Sequence, residues 1–226
     1  MNADQETDEM KIAVIGAAGR TGKEVVRQAL DRGHEVVAVA RSPHKLDLAG
    51  DGLTVVAADV RDADALAAAV VGADAIVTTF GAAAGREPTD LYSAGITNVL
   101  AAMDGHGIRR LAVISASPAG PRAEQPAALR LLVLPILDRF FGAAYADLRR
   151  METVLTRRND LEWACLRPPR LLDRSATGAY RLDPKPLPRA RSLTYPDLAT
   201  ALLDCVDGTA PRTGTLYVAN EADRGR

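Results

Sequence analysis

The feature that most constrains the fold is a glycine-rich stretch near the start of the chain, KIAVIGAAGRTG at residues 11–22. Residues 12–15 are apolar throughout, which predicts a buried strand of a parallel sheet. Three glycines then recur at every third position, before a helical pattern begins at residue 23: Gly16, Gly19 and Gly22. Glycine permits a tight turn and close approach of a ligand, and a helix start offers unpaired N–H groups to a pyrophosphate. The stretch predicts a strand, turn and helix that bind a dinucleotide, and an ordinary tight turn is the alternative.

Strand and helix patterns alternate along the rest of the chain. Further apolar strands are predicted at residues 35–40, 54–58, 75–80, 111–114, 162–166 and 216–219. Such alternation predicts an α/β fold, a Rossmann-type doubly wound parallel sheet of six to seven strands with helices on both faces. Residues 10–220 are expected to form one domain, after a disordered acidic leader at residues 1–9.

Two insertions, residues 118–145 and 170–195, are expected to form a lid on the substrate side of this sheet. The first contains an apolar stretch, residues 129–141, followed by a predicted helix at 145–157. The apolar stretch could admit a flat substrate, although most of its side chains are expected to pack on the sheet. The second insertion is rich in proline and charge, which predicts a loop with room for a short strand pair.

Charge and composition exclude several classes of partner. The 226 residues carry a formal net charge of −1, which provides no basic surplus for nucleic acid or an anionic membrane. The longest apolar run is interrupted by Pro135, and no run is long enough to span a bilayer. Cys165 and Cys205 are expected to be core residues. We therefore expect a cytoplasmic protein that acts on a small molecule as a monomer or weak homo-oligomer.

Several short motifs together resemble the atypical short-chain dehydrogenase/reductases. Within them the chain is similar to the NAD(P)H-binding group that includes flavin reductase/biliverdin reductase B-like and NmrA-like proteins. Besides the glycine stretch, the matching pieces are Arg41-Ser42-Pro43 with Lys45, Asp59-Val60, Gly95 with Asn98, residues 107–111 leading to Ser115, Met151-Glu152, Trp163 with Arg167-Pro168-Pro169, and residues 197–199. The resemblance covers residues 11–219 and implies a nicotinamide cofactor, but it does not identify a substrate.

The resemblance implies a cofactor site at the carboxyl ends of the strands. Where NAD-specific relatives carry a carboxylate after the second strand, this chain carries Arg41, whose planar cation suits a 2′-phosphate. Arg20 is expected to converge on the same phosphate, which predicts NADP(H) as the cofactor. Both arginines could instead be solvated surface residues. Thr21 belongs to the same glycine turn.

Other positions imply contacts along the rest of the dinucleotide. Asp59 and Val60 match the pair that lies beside the adenine in the family, although Asp59 could instead cap the next helix. Phe80 and Gly81 would line the inner ribose and pyrophosphate. Pro168 matches the position behind the nicotinamide, and strand termination is the alternative.

The catalytic side departs from the superfamily pattern of a serine and a tyrosine followed four residues later by lysine. Ser115 matches the serine and could donate a hydrogen bond to substrate or cofactor. Tyr145 matches the tyrosine, but Arg149 stands in the lysine position, or Leu148 if the helix is aligned on Met151-Glu152. No metal site is expected, because the histidines look structural: His34 and His44 in surface turns, and His106 between a helix and a strand.

These residues leave three functions open. The first is an NADPH-dependent oxidoreductase that transfers hydride to a flavin, a quinone or a similar conjugated molecule, whose reduction needs little help from a general acid. The second is a non-catalytic NADP(H) sensor that resembles the NmrA-like regulators. The third is an isomerase or tailoring enzyme for a larger metabolite.

Overall fold

The fold is described from a computed structural model that covers residues 9–81, 87–125, 127 and 129–220. Ten strands are present in this part of the chain: β1 (Lys11–Ile15), β2 (Glu35–Ala40), β3 (Leu53–Ala57), β4 (Ala75–Thr78), β5 (Arg110–Ile114), β6 (Glu162–Arg167), β7 (Arg170–Leu172), β8 (Tyr180–Asp183), β9 (Ser192–Thr194) and β10 (Gly214–Asn220). The α-helices of the same residues are α1 (Arg20–Asp31), α2 (Ala63–Ala69), α3 (Leu91–His106), α4 (Leu134–Leu155) and α5 (Tyr195–Asp207).

Eight of the strands form one sheet in the order β3-β2-β1-β4-β5-β6-β10-β8. The Rossmann-type fold class is confirmed: the first seven strands in this order are parallel. The sheet has one strand more than predicted, because β8 from the proline-rich insertion pairs antiparallel with β10. Strand order reverses beside β1, which pairs with β2 on one side and β4 on the other. In open sheets of this type ligands bind at that reversal, outside the carboxyl ends of the strands.

Helices cover both faces of the sheet, as predicted. Helices α2, α3 and α4 pack on one face, where Ile76, Ile96 and Met151 are fully buried. Helices α1 and α5 pack together on the other face, around Val25, Leu198 and Leu202. Strand side chains therefore meet apolar cover on both sides, which explains why residues 12–15 are apolar without alternation. Cys165 and Cys205 are buried free thiols, one in each of these two cores.

The predicted lid differs from the structure in its helical content. Helix α4 begins at Leu134 rather than near Tyr145, and a π-helical turn, Leu129–Val133, precedes it. Pro135 lies in the first turn of α4, where its missing N–H costs no helical hydrogen bond. Leu134 is buried, but five apolar side chains of this segment are exposed, so most of those described do not pack on the sheet: Leu131, Leu132, Val133, Ile136 and Phe140.

His34 is buried rather than exposed in a surface turn. The main-chain N–H of Met10 donates to its Nδ1 across 3.3 Å. Its Nε2 lies 3.4 Å from a carboxylate oxygen of Asp207, and both side chains are buried. The cause is long-range: α5 ends beside the turn that leads into β2, and this contact covers a residue whose local sequence is typical of a surface turn.

Other predictions fall partly outside the described residues. The leader is described only at Glu9, and the alanine-rich loop after Gly81 is not described at residues 82–86. Within the described ranges, no helix is both long and apolar enough to cross a bilayer. Among the same residues, no cluster of three or more histidine, cysteine or acidic side chains is placed to hold a metal ion.

Candidate active site

The glycine turn between β1 and α1 is held in a conformation that excludes larger residues. Gly16 has φ +92°, and a Cβ there would lie 2.5 Å from the Phe80 nitrogen. A Cβ on Gly22 would lie 2.4 Å from the Gly16 carbonyl oxygen, whereas one on Gly19 would meet that oxygen at 3.3 Å. Gly16 and Gly22 are thus required by the turn itself.

Among the described residues, no side chain competes with a ligand for the first N–H groups of α1. Gly19 occupies the N-cap position, and within the described residues no side chain caps this end or places a carboxylate in its first turn. The first N–H groups of a helix lack partners inside the helix and carry the positive end of its dipole. The turn therefore fits a dinucleotide: a pyrophosphate could approach its backbone closely, and the N–H groups at the helix start could donate to the phosphate oxygens.

Thr79 positions this turn against the end of β4. Its hydroxyl donates to the Gly16 carbonyl oxygen at 3.0 Å, and its N–H donates to the Ile15 carbonyl oxygen at 2.7 Å. Reasoning from the sequence missed Thr79 because its role depends on β4 lying beside β1. A threonine directly after an apolar strand was the only signal.

A cavity of about 250 Å³ opens beside the glycine turn. It gathers six of the predicted cofactor residues, together with neighbours that were not predicted as contacts: Gly16, Ala18, Gly19, Arg41, Ser42, Lys45, Val60, Thr79, Phe80, Gly81 and Leu91. None of these described residues is acidic, and two are cationic. The cavity thus offers positive charge where a phosphate-bearing ligand would approach.

Five predicted cofactor residues do not line this cavity: Arg20, Thr21, Gly22, Asp59 and Pro168. The guanidinium of Arg20 lies 4.6 Å from the centre of the Tyr195 ring and 3.9 Å from an Asp173 oxygen, so it does not converge with Arg41 here. Asp59 accepts a hydrogen bond from the Arg61 N–H at 3.0 Å. Pro168 is buried, and its carbonyl oxygen accepts from the Ser117 N–H at 2.8 Å.

The alternative role considered for Asp59 is wrong. Asp62, three residues later, caps α2 by accepting a hydrogen bond from the Ala65 N–H at 3.0 Å. Asp59 instead closes the turn before the cap, since its carbonyl oxygen accepts from the Asp62 N–H at 2.9 Å. The sequence offered two aspartates before one short helix, and only the backbone conformation distinguishes them.

Phe80 packs against α3, beside Val60. A Cβ on Gly95 would lie 2.9 Å from the Phe80 ring and 3.1 Å from Val60, so α3 needs a glycine there to receive the ring. The Phe80 and Tyr92 rings stack with centroids 6.4 Å apart. Phe80, with its neighbours Thr79 and Gly81, also lines a second cavity, so the two cavities are adjacent and share these residues.

This second cavity also measures about 250 Å³ and is mainly apolar. Its walls carry three aromatic side chains besides Phe80, and both predicted catalytic residues: Thr21, Thr79, Phe80, Gly81, Tyr92, Ile114, Ser115, Ala116, Phe141, Ala144, Tyr145, Leu148 and Leu171. The Phe141 and Tyr145 rings lie one turn apart on α4, with centroids 6.1 Å apart. The lining suits a largely apolar molecule.

Tyr145 lies on this wall as a half-buried phenol. Burial, together with the negative charge of Asp138, raises its pKa above the ordinary value. The pKa of a phenol assisted by a neighbouring cation would instead be lowered. Arg149, four residues later, is exposed on α4. Tyr145 therefore stays protonated at neutral pH and is a weaker acid than an unperturbed tyrosine.

Ser115 is more constrained than the sequence indicates. Its hydroxyl donates to Glu152 Oε1 at 2.6 Å, and both side chains are buried. Glu152 in turn receives two hydrogen bonds from Arg167, at 2.9 and 2.6 Å. Glu152 and Arg167 belong to the motifs that resemble the family. Their connection to Ser115 was not predicted, because 37 residues separate the serine from the glutamate.

A family of NAD(P)H-binding proteins matches this chain over residues 16–209. An uncharacterized protein of Mycobacterium tuberculosis is 40% identical over 116 residues, which cover 51% of this chain and 13% of that protein. The chain thus corresponds to a small part of the relative.

Two solved structures share the fold over nearly the whole chain. ChuY, an anaerobillin reductase from Escherichia coli O157:H7, has a TM-score of 0.75 at 23% identity, covering 96% of this chain and 100% of that one. A candidate NADH-flavin reductase from Streptococcus pneumoniae has a TM-score of 0.73 at 23% identity, covering 94% and 100%. The family match spans both the glycine turn and the second cavity. We conclude that the chain belongs to the NAD(P)H-binding family.

Proposed function

We propose that this protein is an NADPH-dependent oxidoreductase that reduces a flavin, a quinone or a similar flat conjugated molecule. The observation that carries the proposal is a pair of adjacent cavities: a cationic cavity beside the glycine turn shares Phe80 with an apolar cavity walled by Tyr92, Phe141 and Tyr145. The fold neighbours include proteins described as reductases of such molecules. When bound, the nicotinamide supplies a hydride, and the reduced ring takes its remaining proton from water.

The residues of the cationic cavity would hold the cofactor. The glycine turn and the start of α1 would bind the pyrophosphate, and Val60 and Phe80 would pack along the dinucleotide. Arg41 would pair with the 2′-phosphate, with Lys45 as the second cation of the same cavity. Arg20 would reach that phosphate only by leaving Tyr195. These roles predict a preference for NADPH over NADH.

The residues of the apolar cavity would orient the substrate and exclude water. Aromatic rings offset against a flat substrate contribute contact area and a preferred stacking geometry. Tyr145 would remain a phenol and donate a hydrogen bond, without acting as a strong acid. This limited acid assistance favours a conjugated substrate over a simple ketone, because negative charge on a ketone oxygen needs a donor during reduction.

The test follows NADPH absorbance as FMN, riboflavin and several quinones are added to the purified protein. We expect oxidation that depends on both protein and substrate, and slower oxidation of NADH. Arg41→Ala should raise the Kd for NADPH about tenfold, since it removes a charge-assisted contact, and change the Kd for NADH less than about twofold. Arg109→Ala, which alters an exposed arginine paired with Asp160, is the matched control.

A second candidate is a sensor that binds NADP(H) without turnover. The buried Ser115–Glu152 hydrogen bond favours it, because the hydroxyl hydrogen of the serine is not available to a substrate. Tight NADPH binding without oxidation across the whole panel would support the sensor and reject the reductase. Equal affinity for NADPH and NADH, or an Arg41→Ala variant with unchanged NADPH affinity, would contradict the proposed cofactor preference.

A further inference from the structure

Ser115 has two polar hydrogens, on its main-chain nitrogen and on its hydroxyl, and neither points into the second, apolar cavity (the substrate cavity under the proposed function). The main-chain N–H donates to the Leu166 carbonyl oxygen at 2.8 Å, as part of the register between β5 and β6. The hydroxyl donates to Glu152 Oε1 at 2.6 Å. Ser115 nevertheless lines the cavity. A hydroxyl has one hydrogen and two lone pairs, so only lone pairs remain for a ligand.

Arg167 keeps Glu152 in the form that accepts this hydrogen. Its Nε and Nη2 donate to the two carboxylate oxygens at 2.9 and 2.6 Å, a bidentate geometry that favours the ionised carboxylate. The Ser115–Glu152 distance is in the range of a hydroxyl bonded to a charged oxygen. The arginine is held in turn, because its Nη1 lies 3.3 Å from the Tyr217 hydroxyl.

The thiol of Cys165, which neighbours Ser115, does not change which group receives the hydroxyl hydrogen of the serine. Burial raises the pKa of Cys165 well above its ordinary value, so the thiol is neutral at pH 7. A neutral thiol is a weak donor and a weak acceptor, so it competes poorly with the charged Glu152 oxygen for the hydroxyl hydrogen. The direction of the hydrogen bond therefore depends on Glu152 and Arg167.

We propose that Glu152 and Arg167 make Ser115 a hydrogen-bond acceptor toward the substrate cavity, so that the site selects conjugated substrates that carry a ring N–H group. The inference rests on the proposed function and narrows its substrate class. An oxygen that cannot donate is poorly matched to a ketone or quinone carbonyl, which needs a donor. A lactam or imide N–H satisfies the serine lone pair. Glu152 and Arg167 are positioning residues, because their described contacts are with Ser115 and Tyr217 rather than with the cavity.

Binding of two flavins that differ in one N–H group tests this inference. Riboflavin has an imide hydrogen, and 3-methylriboflavin has a methyl group in its place. Their dissociation constants are measured by quenching of flavin fluorescence, with NADP⁺ present so that no turnover occurs. We expect the wild-type protein to bind riboflavin about tenfold more tightly, the size of a lost hydrogen bond that leaves a buried group unpaired.

Variants separate the hydrogen bond from simple steric exclusion of the methyl group. Ser115→Ala removes the lone pairs and should reduce the preference to below about threefold. Glu152→Gln should do the same, because its amide can donate to the serine oxygen and release the hydroxyl hydrogen into the cavity. Glu162→Gln, at an exposed glutamate at the start of β6, should keep the wild-type ratio. An unchanged ratio in Ser115→Ala would overturn the inference.

A measurement on the ligand-free protein tests the direction of the Ser115–Glu152 hydrogen bond even if no flavin binds. If neither flavin binds, flavins are excluded as substrates of the proposed reductase. Proton NMR of the ligand-free protein then tests whether the Ser115 hydroxyl donates to Glu152. We expect a downfield hydroxyl resonance that exchanges slowly with water and disappears in both Ser115→Ala and Glu152→Gln. A wild-type spectrum without this resonance, or one in which it survives Glu152→Gln, would overturn the assigned polarity.

Discussion

At the scale of single residues, Gly22 shows how little space the glycine turn allows. A Cβ there would lie 2.4 Å from the Gly16 carbonyl oxygen and 2.8 Å from the Ala17 Cα, and both neighbours are backbone. We expect Gly22→Ala to lower the free energy of unfolding by about 2 kcal/mol, because backbone cannot yield as a flexible side chain can. Urea unfolding of the two proteins measures the loss.

The matched control is Gly105→Ala, near the end of α3. No atom lies within 4 Å of the Cβ position at Gly105. There alanine should be neutral or should stabilise the helix by up to about 1 kcal/mol, through its higher helix propensity. Similar losses in the two variants would show that the turn has no special requirement for glycine.

At the scale of elements, α3 is capped by a side chain of α4. The Tyr92 N–H donates to Asp147 Oδ2 at 2.8 Å, and the Ser93 N–H donates to Asp147 Oδ1 at 3.3 Å. The side chain of Asp147 is fully buried and also lies 3.1 Å from Arg150. A local cap is lacking, since Asp90 at the N-cap position makes no capping bond within the described residues. Asp147 thereby aligns the two helices that carry Tyr92 and Tyr145.

We expect Asp147→Ala to lower the free energy of unfolding by about 2 kcal/mol, because it removes the acceptor that caps the first N–H groups of α3. Chemical unfolding followed by circular dichroism measures the change. Asp138→Ala, on the same helix, is the control: its partner Arg122 is largely exposed, and such ion pairs contribute less than about 1 kcal/mol. A larger loss in the control would contradict the capping role.

At the scale of the whole molecule, Asp197 ties the second insertion to α5 and to β10. Its carboxylate accepts hydrogen bonds from the Thr177 and Gly178 N–H groups and from the side chains of Thr194 and Asn220. Burial alone would raise the pKa of Asp197, but these hydrogen bonds outweigh burial and lower it. The charged carboxylate thus stabilises the folded protein.

This lowered pKa predicts a pH-dependent contribution to stability. Because the folded pKa is below the unfolded value of about 4, the contribution is complete above pH 4 and is lost as pH falls through the folded pKa. We expect Asp197→Asn to cost about 2 kcal/mol at pH 7 and progressively less below pH 4. Urea unfolding at several pH values measures this difference, and a cost that stays constant down to pH 2 would contradict the linkage.

Local features of the chain were predictable where their physical cause is local. The glycine turn follows from the backbone needs of Gly16 and Gly22, and the strand positions follow from runs of apolar residues. The start of α4 was predicted near Tyr145, whereas the helix begins at Leu134, directly after a π-helical turn. The prediction was wrong because Pro135 and the apolar run around it resemble a loop that enters the core. The exposed stretch around Leu131 and Leu132 breaks the rule that apolar residues mark the buried face.

The sequence by itself determined the Rossmann-type fold, the place of the glycine turn and the family. These depend on residue periodicity and on backbone conformations that only glycine adopts easily, and both can be recognised within a few neighbouring positions. Only the tertiary structure decided that Ser115 gives its hydrogen to Glu152, that Arg20 lies over Tyr195, and that Asp147 caps α3. The physical reason is that a side chain forms hydrogen bonds only with groups within about 3 Å. The packed sheet brings those groups together from distant parts of the chain.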